Sequence, residues 1–278
     1  MQAPHVSKTH PQMLSHPAHD DLVREVRSWY ICDYPALGKV VARRRFGYYS
    51  RIQQTAYRDI HILEPFDPAE APAFIADVHT FYGHRRVHIF THGQAVDTRL
   101  SHALEQAGCT RGADNLYLAH VNTGVPPEAE SGPGRIEPVT PGNLRDYSVT
   151  KLKGFAGKEE EPDPGAVEAD MAIRRVELNA GGTFLIARVG DEAVAIIGWY
   201  EGPDRYIFNL ATRAPFRNQG IARQLLSRVL ADTYALGKRS LLINTDPADT
   251  PVQFYRRLGF VDEIYWKGKW LWEGSSCQ

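Results

Sequence analysis

Residues 214–230, APFRNQGIARQLLSRVL, decide how this chain is read: a basic, glycine-bearing turn runs straight into an amphipathic helix. Ile221, Leu225 and Val229, with Leu226 and Leu230 beside them, recur at four-residue intervals and predict one buried helical face. A helix that opens directly after a loop of small residues has several backbone N–H groups with no intrahelical acceptor. Those donors, with the helix dipole behind them, make a place for an anion. Gly220 allows the anion to approach the main chain closely. The loop is neither G-x-x-x-x-G-K-S/T nor G-x-G-x-x-G, and it lacks the lysine of nucleotide-hydrolysing loops. A helix terminus contributes only ~0.3–1 kcal/mol towards a charged group. A tightly held ligand must therefore be long and touch other elements as well.

Outward from the loop, the second half alternates strands and helices. RIEPVTPGNLRDYSVTKLKGF reads as a short strand, a turn and a helix starting near Pro141. TFLIARV and EAVAIIGWY form a hairpin turning at Gly190 and Asp191, and RYIFNLAT is a third strand. After the loop and its helix come the strand SLLIN, the helix TPVQFYRRLGF with a glycine stop, and a last strand, VDEIYWKGKWLW. The order β-α-β-β-β-α-β-α-β implies a mixed sheet flanked by helices. Residues 121–135, VNTGVPPEAESGPGR, carry almost no bulky apolar residue and read as a linker. The division is then a tail at 1–20, a first domain at 21–122, a linker at 123–134 and a second domain at 135–278. A weak repeat spans it: HRRVHIFTHGQAVDTRLSHALEQAGC and GKRSLLINTDPADTPVQFYRRLGF share a strand–turn–helix–Gly grammar, with Gly108 matching Gly259.

Composition excludes several classes. A net charge of −1 with both halves balanced argues against a nucleic-acid partner, and Arg43, Arg44 and Arg45 read as a solvated strand edge or turn. No apolar run reaches the ~20 residues of a membrane span. The polar N-terminus lacks a signal-peptide core, and Cys32, Cys109 and Cys277 form no disulfide or metal pattern, so a cytoplasmic protein without a metal is expected. His5, His10, His16 and His19 read as a solvated tail, and His84, His88, His92 and His102 as surface or satisfied core residues. All eleven histidines lie at or before His120. If the anion loop marks the site, imidazole catalysis is unavailable within the second half. Tyr, Asp, Glu, Ser, Lys, main-chain amides and water remain, which suits a reaction that depends on positioning.

R-x-x-G-x-A after a strand and opening a helix, followed about 30 residues later by FYRRLGF, resembles the GNAT superfamily of acyl-CoA-dependent N-acetyltransferases. The resemblance covers roughly residues 134–273. It implies an α/β (mixed α+β) fold, with a mostly antiparallel sheet between helices, in two similar domains of which the first is degenerate. It implies acetyl-CoA as cosubstrate, its pyrophosphate on Arg217, Asn218, Gln219, Gly220, Ile221 and Ala222. Pantetheine would lie between the third and fourth strands, against the main chain of Leu210, Ala211 and Thr212, with Asn244 and Phe254 on the same arm. Tyr255 matches the family's usual general acid; its other role is a core aromatic with Phe254 and Phe260.

Elementary chemistry fits these roles. An amine attacking a thioester must shed a proton, and the leaving thiolate must gain one. A tyrosine of pKa ~10 suits a thiol of pKa ~8.5. For the base, Glu201, Asp246 and Asp249 stand near strand ends or turns, with water relayed from Glu201 preferred and Asp249 also readable as a helix cap. The acidic run KEEEPDPG, 158–165, is solvent-exposed charge or a border favouring a cationic acceptor. The first half lacks the loop, and Leu104 falls where the tyrosine would be. Two functions stay open: acetyl transfer to a primary amine, on a small molecule or a protein, or a non-catalytic acyl-CoA-binding module. A homodimer is compatible with both.

Overall fold

The computed structural model describes residues 39–52, 58–93, 98–125, 131–179, 181–202, 204–247 and 251–274. The tail with its four histidines, Cys32, Cys277, the prolines Pro126 and Pro127, Asp249 and Thr250 lie outside the described residues. The strands are β1 (Lys39–Arg44), β2 (Gly47–Ile52), β3 (Arg58–Ile62), β4 (Val87–Gly93), β5 (Thr110–Arg111), β6 (Asn115–Val121), β7 (Arg135–Pro138), β8 (Thr183–Val189), β9 (Glu192–Tyr200), β10 (Arg205–Thr212), β11 (Ser240–Thr245) and β12 (Val261–Trp272). The α-helices are α1 (Ala71–Tyr82), α2 (Thr98–Gln106), α3 (Leu144–Ala156), α4 (Pro164–Asn179), α5 (Ile221–Ala235) and α6 (Pro251–Arg257). The strands form one sheet in the order β1-β2-β3-β4-β12-β6-β11-β10-β9-β8-β7, with β5 against β12. Two neighbouring pairs are parallel, β3 with β4 and β10 with β11. The other pairs are antiparallel.

The repeat seen in the sequence is a repeat in space. β4 leads to α2 and β11 to α6, and both helices end on the same pair of bonds. Gly108 N–H donates to Glu105 C=O (2.9 Å) and Cys109 N–H to Leu104 C=O (2.9 Å). Gly259 N–H donates to Arg256 C=O (3.0 Å) and Phe260 N–H to Tyr255 C=O (3.1 Å). Both glycines have left-handed φ, +77° and +87°, as such helix stops require. Leu104 therefore occupies the place in α2 that Tyr255 occupies in α6.

The two halves exchange strands. β6, from the first half, pairs with β11 from Ser240↔Val121 to Thr245↔Leu116. The distal part of β12 pairs with β4 from Trp266↔Gly93 to Trp272↔Val87. The cores follow the exchange. Leu116 and Leu118 of β6 are buried with Ile207, Ile243 and the apolar face of α5. Trp270 and Trp272 of β12 are buried with Ile60, Ile89 and the apolar faces of α1 and α2. On the other face of the second half, α3 and α4 cover Phe184, Ile186, Ile196 and Ala211.

The first helix of the second half begins at Leu144 rather than near Pro141. A further helix, α4, stands between it and β8, where the sequence order has a single helix. The apolar period misses α4 because its buried face carries Asp170, Arg174 and Glu177 beside Val167 and Met171. The arginines at the β1–β2 turn are paired: Arg44 with Asp77 (2.5 Å) and Arg45 with Glu70 (2.5 Å).

Candidate active site

The second half contains a fork. β10 pairs with β11 only from Arg205↔Leu241 to Ile207↔Ile243. On its other edge β10 follows β9 to Thr212↔Ala195, with an irregularity between Ile207 and Asn209 that leaves Phe208 as an extra residue. A bulge bends its strand and increases local twist, so β10 leaves β11 there. Asn209, Leu210, Ala211 and Thr212 therefore have no β11 partner on that edge. Asn244, the first β11 residue past the pairing, bridges the closed end by donating from Nδ2 to Tyr206 Oη (2.8 Å). Its Nδ2 is committed there, with Tyr117 Oη at 3.4 Å, and any contact to a ligand arm must come from the rest of the residue.

The open end of the fork leads to the loop. Ala214–Phe216 is a 3-10 turn, Arg217 is extended, and Asn218 turns left-handed at φ 62°. Gly220 is left-handed at φ 83° and caps α5 without a side-chain hydrogen bond. The first intrahelical bond is Gln224 N–H to Gly220 C=O (2.9 Å), so the amides of the first turn face outward, away from the helix body. Adding a side chain at Gly220 would meet nothing within 4 Å; conformation, not space, selects glycine. The loop is bolted from below. Arg217 donates to Gly154 C=O (2.8 Å) and Thr212 C=O (3.1 Å), tying α3 and β10 to the turn. Gln219 donates to Pro215 C=O (2.9 Å). Arg213 lies over Phe216 and binds Glu159 and Glu192. The acidic run is thus partly spent within the chain, Glu159 on Arg213 and Glu161 on Lys153 (2.5 Å). Ile221 is buried and Ala222 half-buried, fixing the start of α5 on the core.

Tyr255 is buried on α6 in the cluster that holds Ile207, Ile243 and Ile221. Its ring lies 5.4 Å from that of Phe254 and 5.8 Å from that of Phe260. Glu201 requires a correction. It stands before Arg205, at the opposite end of β10 from the loop. Trp199 Nε1 donates to it (2.8 Å), Arg205 Nη2 approaches at 2.9 Å and Lys238 Nζ at 3.6 Å. Burial works to raise its carboxyl, but the hydrogen bonds and positive charges of Arg205, Trp199 and Lys238 prevail and hold it below the usual range. A carboxylate so neutralised is an ion-pair hub and a weak relay base. Asp246 follows β11 directly and is half-buried.

Reading each half alone missed what the exchange carries across. Tyr117 arrives on β6 and stacks at 5.9 Å on Tyr206 beside the fork. His120 also arrives on β6; its Nδ1 is 3.1 Å from Tyr234 Oη and its ring 5.4 Å from Phe260. An imidazole is therefore present in the second half's core, where burial lowers its proton affinity. The described first-half histidines meet at most in pairs. His92 Nε2 meets His61 Nδ1 at 2.9 Å, His88 lies 3.7 Å from Asp59, the His84 ring packs on His79, and His102 is exposed. Among the described residues, no three His, Cys, Asp or Glu side chains are arranged to hold a metal ion. No helix among them is long and apolar enough to cross a membrane.

Residues 180–262, which contain the fork, the loop and Tyr255, match the family described as the acetyltransferase (GNAT) domain. No curated protein matches the chain. Among solved structures, a GCN5-related N-acetyltransferase from Kribbella flavida is 16% identical with a TM-score of 0.63, over 94% of this chain and 97% of that one. A tandem GNAT protein from the clavulanic acid biosynthesis pathway is 13% identical with a TM-score of 0.60, over 92% and 89%. A GCN5-related N-acetyltransferase from Sphaerobacter thermophilus is 19% identical with a TM-score of 0.60, over 84% and 76%. At these identities the structures establish the fold, and the domain match lies inside it. Residues 180–262 thus carry the match to an acetyltransferase (GNAT) domain, within a fold shared with a tandem GNAT protein.

Proposed function

We propose that the protein transfers an acetyl group from acetyl-CoA to a primary amine by direct attack, with donor and acceptor bound together at the fork. The observation that carries this is the continuity of the fork's open edge, Asn209 to Thr212, with the left-handed turn at Asn218 and Gly220. A ligand with a pyrophosphate at one end and an amide-bearing arm suits that path. The outward amides from Asn218 to Ala222 would hold the anion, and the edge of Leu210, Ala211 and Thr212 that β11 leaves would hydrogen-bond the arm as an added strand, with the Thr212 carbonyl shared with Arg217. Phe254 would flank the arm. Thr212 Oγ1 is buried without a partner, which suits a polar ligand at this edge. Four steps along the strand, from Thr212 to Phe208, cover about 13 Å at ~3.3 Å each. The acyl end then falls at the bulge.

There a main-chain N–H near Leu210 or Ala211 would meet the negative charge that develops on the attacked carbonyl oxygen. Tyr255 would give its proton to the departing sulfur. Residues 135–278 would be the catalytic domain, and residues 21–122 a degenerate partner that lends β6. Calorimetry with acetyl-CoA, followed by thiol release in the presence of primary amines, tests this. Heat of binding and amine-dependent thiol release are expected. Binding without any turnover would leave only an acyl-CoA-binding module, and no heat would overturn the assignment altogether.

A further inference from the structure

On the face of the fork opposite α5 lies a set of buried charges that neither the donor loop nor Tyr255 uses. Lys151 pairs with Asp170, and Arg174 with Glu177, between α3 and α4. Arg174 Nε is also 3.8 Å from Asp170. Asp170, Arg174 and Glu177 are only 7%, 7% and 6% exposed. The guanidinium of Arg174 lies 5.9 Å from the ring centre of Phe184 and 5.5 Å from that of Phe208. Such a network seldom stabilises a core better than apolar residues would. It is also incompletely satisfied. Ser148 Oγ, Asp170 Oδ2 and Arg174 Nε are buried without a hydrogen-bond partner. Each such atom costs about 1–3 kcal/mol. A costly polar cluster beside a reactive site calls for a chemical explanation.

One arm leads from the cluster to the fork. Tyr200 Oη donates to Glu177 Oε1 at 2.9 Å. Tyr200 is the last residue of β9, half-buried, and its ring stacks at 4.2 Å on Phe208, the residue where β10 leaves β11. The Tyr206 ring is 6.5 Å away, with Tyr117 stacked beyond it. A phenol thus stands at the bulge with a carboxylate behind it and an aromatic wall alongside. The groups facing Glu177 are Arg174 and Asp170 on its own helix, Lys151 and Tyr147 on α3, and Tyr200 on β9. Burial raises the Glu177 carboxyl above its ordinary range, although Arg174, Tyr200 and Lys151 oppose the shift. A carboxylate with raised proton affinity is suited to accept a proton near neutral pH.

We propose that Tyr200 is the group that takes the proton from the acceptor amine, passing its own proton to Glu177, which positions and drives it. This rests on the acetyl-transfer reading above. The acceptor enters as an ammonium ion. One proton passes to Tyr200 Oη as the Tyr200 proton passes to Glu177, leaving a neutral amine. The nitrogen lone pair forms the C–N bond, the C–S bond breaks, and its electron pair leaves on sulfur. Sulfur takes the Tyr255 proton, and the second proton lost by nitrogen restores Tyr255 through solvent. Glu177 then returns its proton through Tyr200 to solvent. One ammonium and one thioester become one amide, one thiol and one proton. Base and acid stand on opposite faces of the sheet, with the acyl carbon in the gap between them. The tyrosine wall favours acceptors with an apolar or aromatic body.

The test uses the full chain, acetyl-CoA, and tyramine, hexylamine, lysine and spermidine as acceptors, with thiol release and calorimetry as readouts. Tyr200→Phe keeps the Arg174–Glu177 pair and removes only the hydroxyl bridge. It is expected to lower kcat about 100-fold, to keep acetyl-CoA affinity within about twofold, and to abolish the acidic limb of the pH profile. Glu177→Gln is expected to change kcat and the acidic limb in the same direction, and its melting temperature separates catalysis from misfolding. Tyr200→Phe with kcat within about threefold of wild type and an unchanged acidic limb overturns the assignment. So does a wild-type chain that binds acetyl-CoA but acetylates none of the four amines. A wild-type chain that gives no heat with acetyl-CoA removes the reading beneath it instead.

Discussion

Tyr255 and Leu104 occupy one position in two equivalent helices, and their side chains decide different things. Tyr255→Phe removes a hydroxyl while leaving the ring packed against Phe254 and Phe260. It is expected to lower kcat about 100-fold with acetyl-CoA affinity unchanged, as loss of an acid at the leaving group does; stopped thiol release at several pH values measures it. Leu104 is fully buried among apolar neighbours, so Leu104→Ala is expected to cost about 2–5 kcal/mol in a urea melt and to leave kcat of the folded chain alone. Glu201 behaves differently again. Its folded-state carboxyl titrates below the unfolded value, so its contribution is present above about pH 4 and is lost as pH falls through the folded value. Glu201→Gln should therefore cost about 1 kcal/mol at neutral pH, discounted for its partial exposure, and the gap to wild type should close in acid. Turnover should stay within about threefold, and a larger loss would return Glu201 to the chemistry. At this scale the loop and Tyr255 were legible because their signal is local. Tyr200 and Glu177 were not, since nothing in WYEG or RRVELN tells that a phenol and a carboxylate 23 positions apart will meet at 2.9 Å.

At the scale of elements, the turn before α5 concentrates the conformational demands. Asn218 and Gly220 are both left-handed, and Gly220 has open space around it. Gly220→Ala therefore introduces no clash, only the ~1–2 kcal/mol penalty of a side chain in that conformation. Relaxation would turn the first-turn amides out of line. The expected result is an acetyl-CoA dissociation constant raised about tenfold, which corresponds to ~1.4 kcal/mol; Asn218→Gly should bind within about twofold of wild type. Calorimetry on the two variants decides it, and equal binding by Gly220→Ala would mean that the loop amides do not hold the donor. The period of Ile221, Leu225 and Val229 made α5 readable. α4 was hidden because its inward face is charged, and the bulge at Phe208 was hidden because a single extra residue leaves the alternation of RYIFNLAT intact.

For the whole molecule, the linker composition and the internal repeat pointed to two similar halves, but strand exchange makes each half incomplete. No local signal carries that information: β6 and β12 alternate as edge or central strands would, and only the pairings Thr245↔Leu116 and Trp272↔Val87 reveal where they go. The consequence is testable. A fragment of residues 131–278 lacks β6, so β11 loses a neighbour along its whole length and the core beneath α5 loses Leu116 and Leu118. Each of those side chains is worth about 2–5 kcal/mol, against a total of about 5–15 kcal/mol for a domain. The freed edge would also be open to pairing between molecules. The fragment is expected to be insoluble, or soluble without a cooperative melt, whereas coexpression with residues 1–125 should restore a soluble complex that binds acetyl-CoA with the affinity of the intact chain. A monomeric fragment melting cooperatively within about 5 °C of the full chain would show that β6 is dispensable to the acetyltransferase half. Tyr117 would then be the sharper probe of the exchange. Tyr117→Ala leaves β6 in place but removes the ring stacked on Tyr206, so a change in amine preference without a change in acetyl-CoA affinity would trace the acceptor wall to the first half.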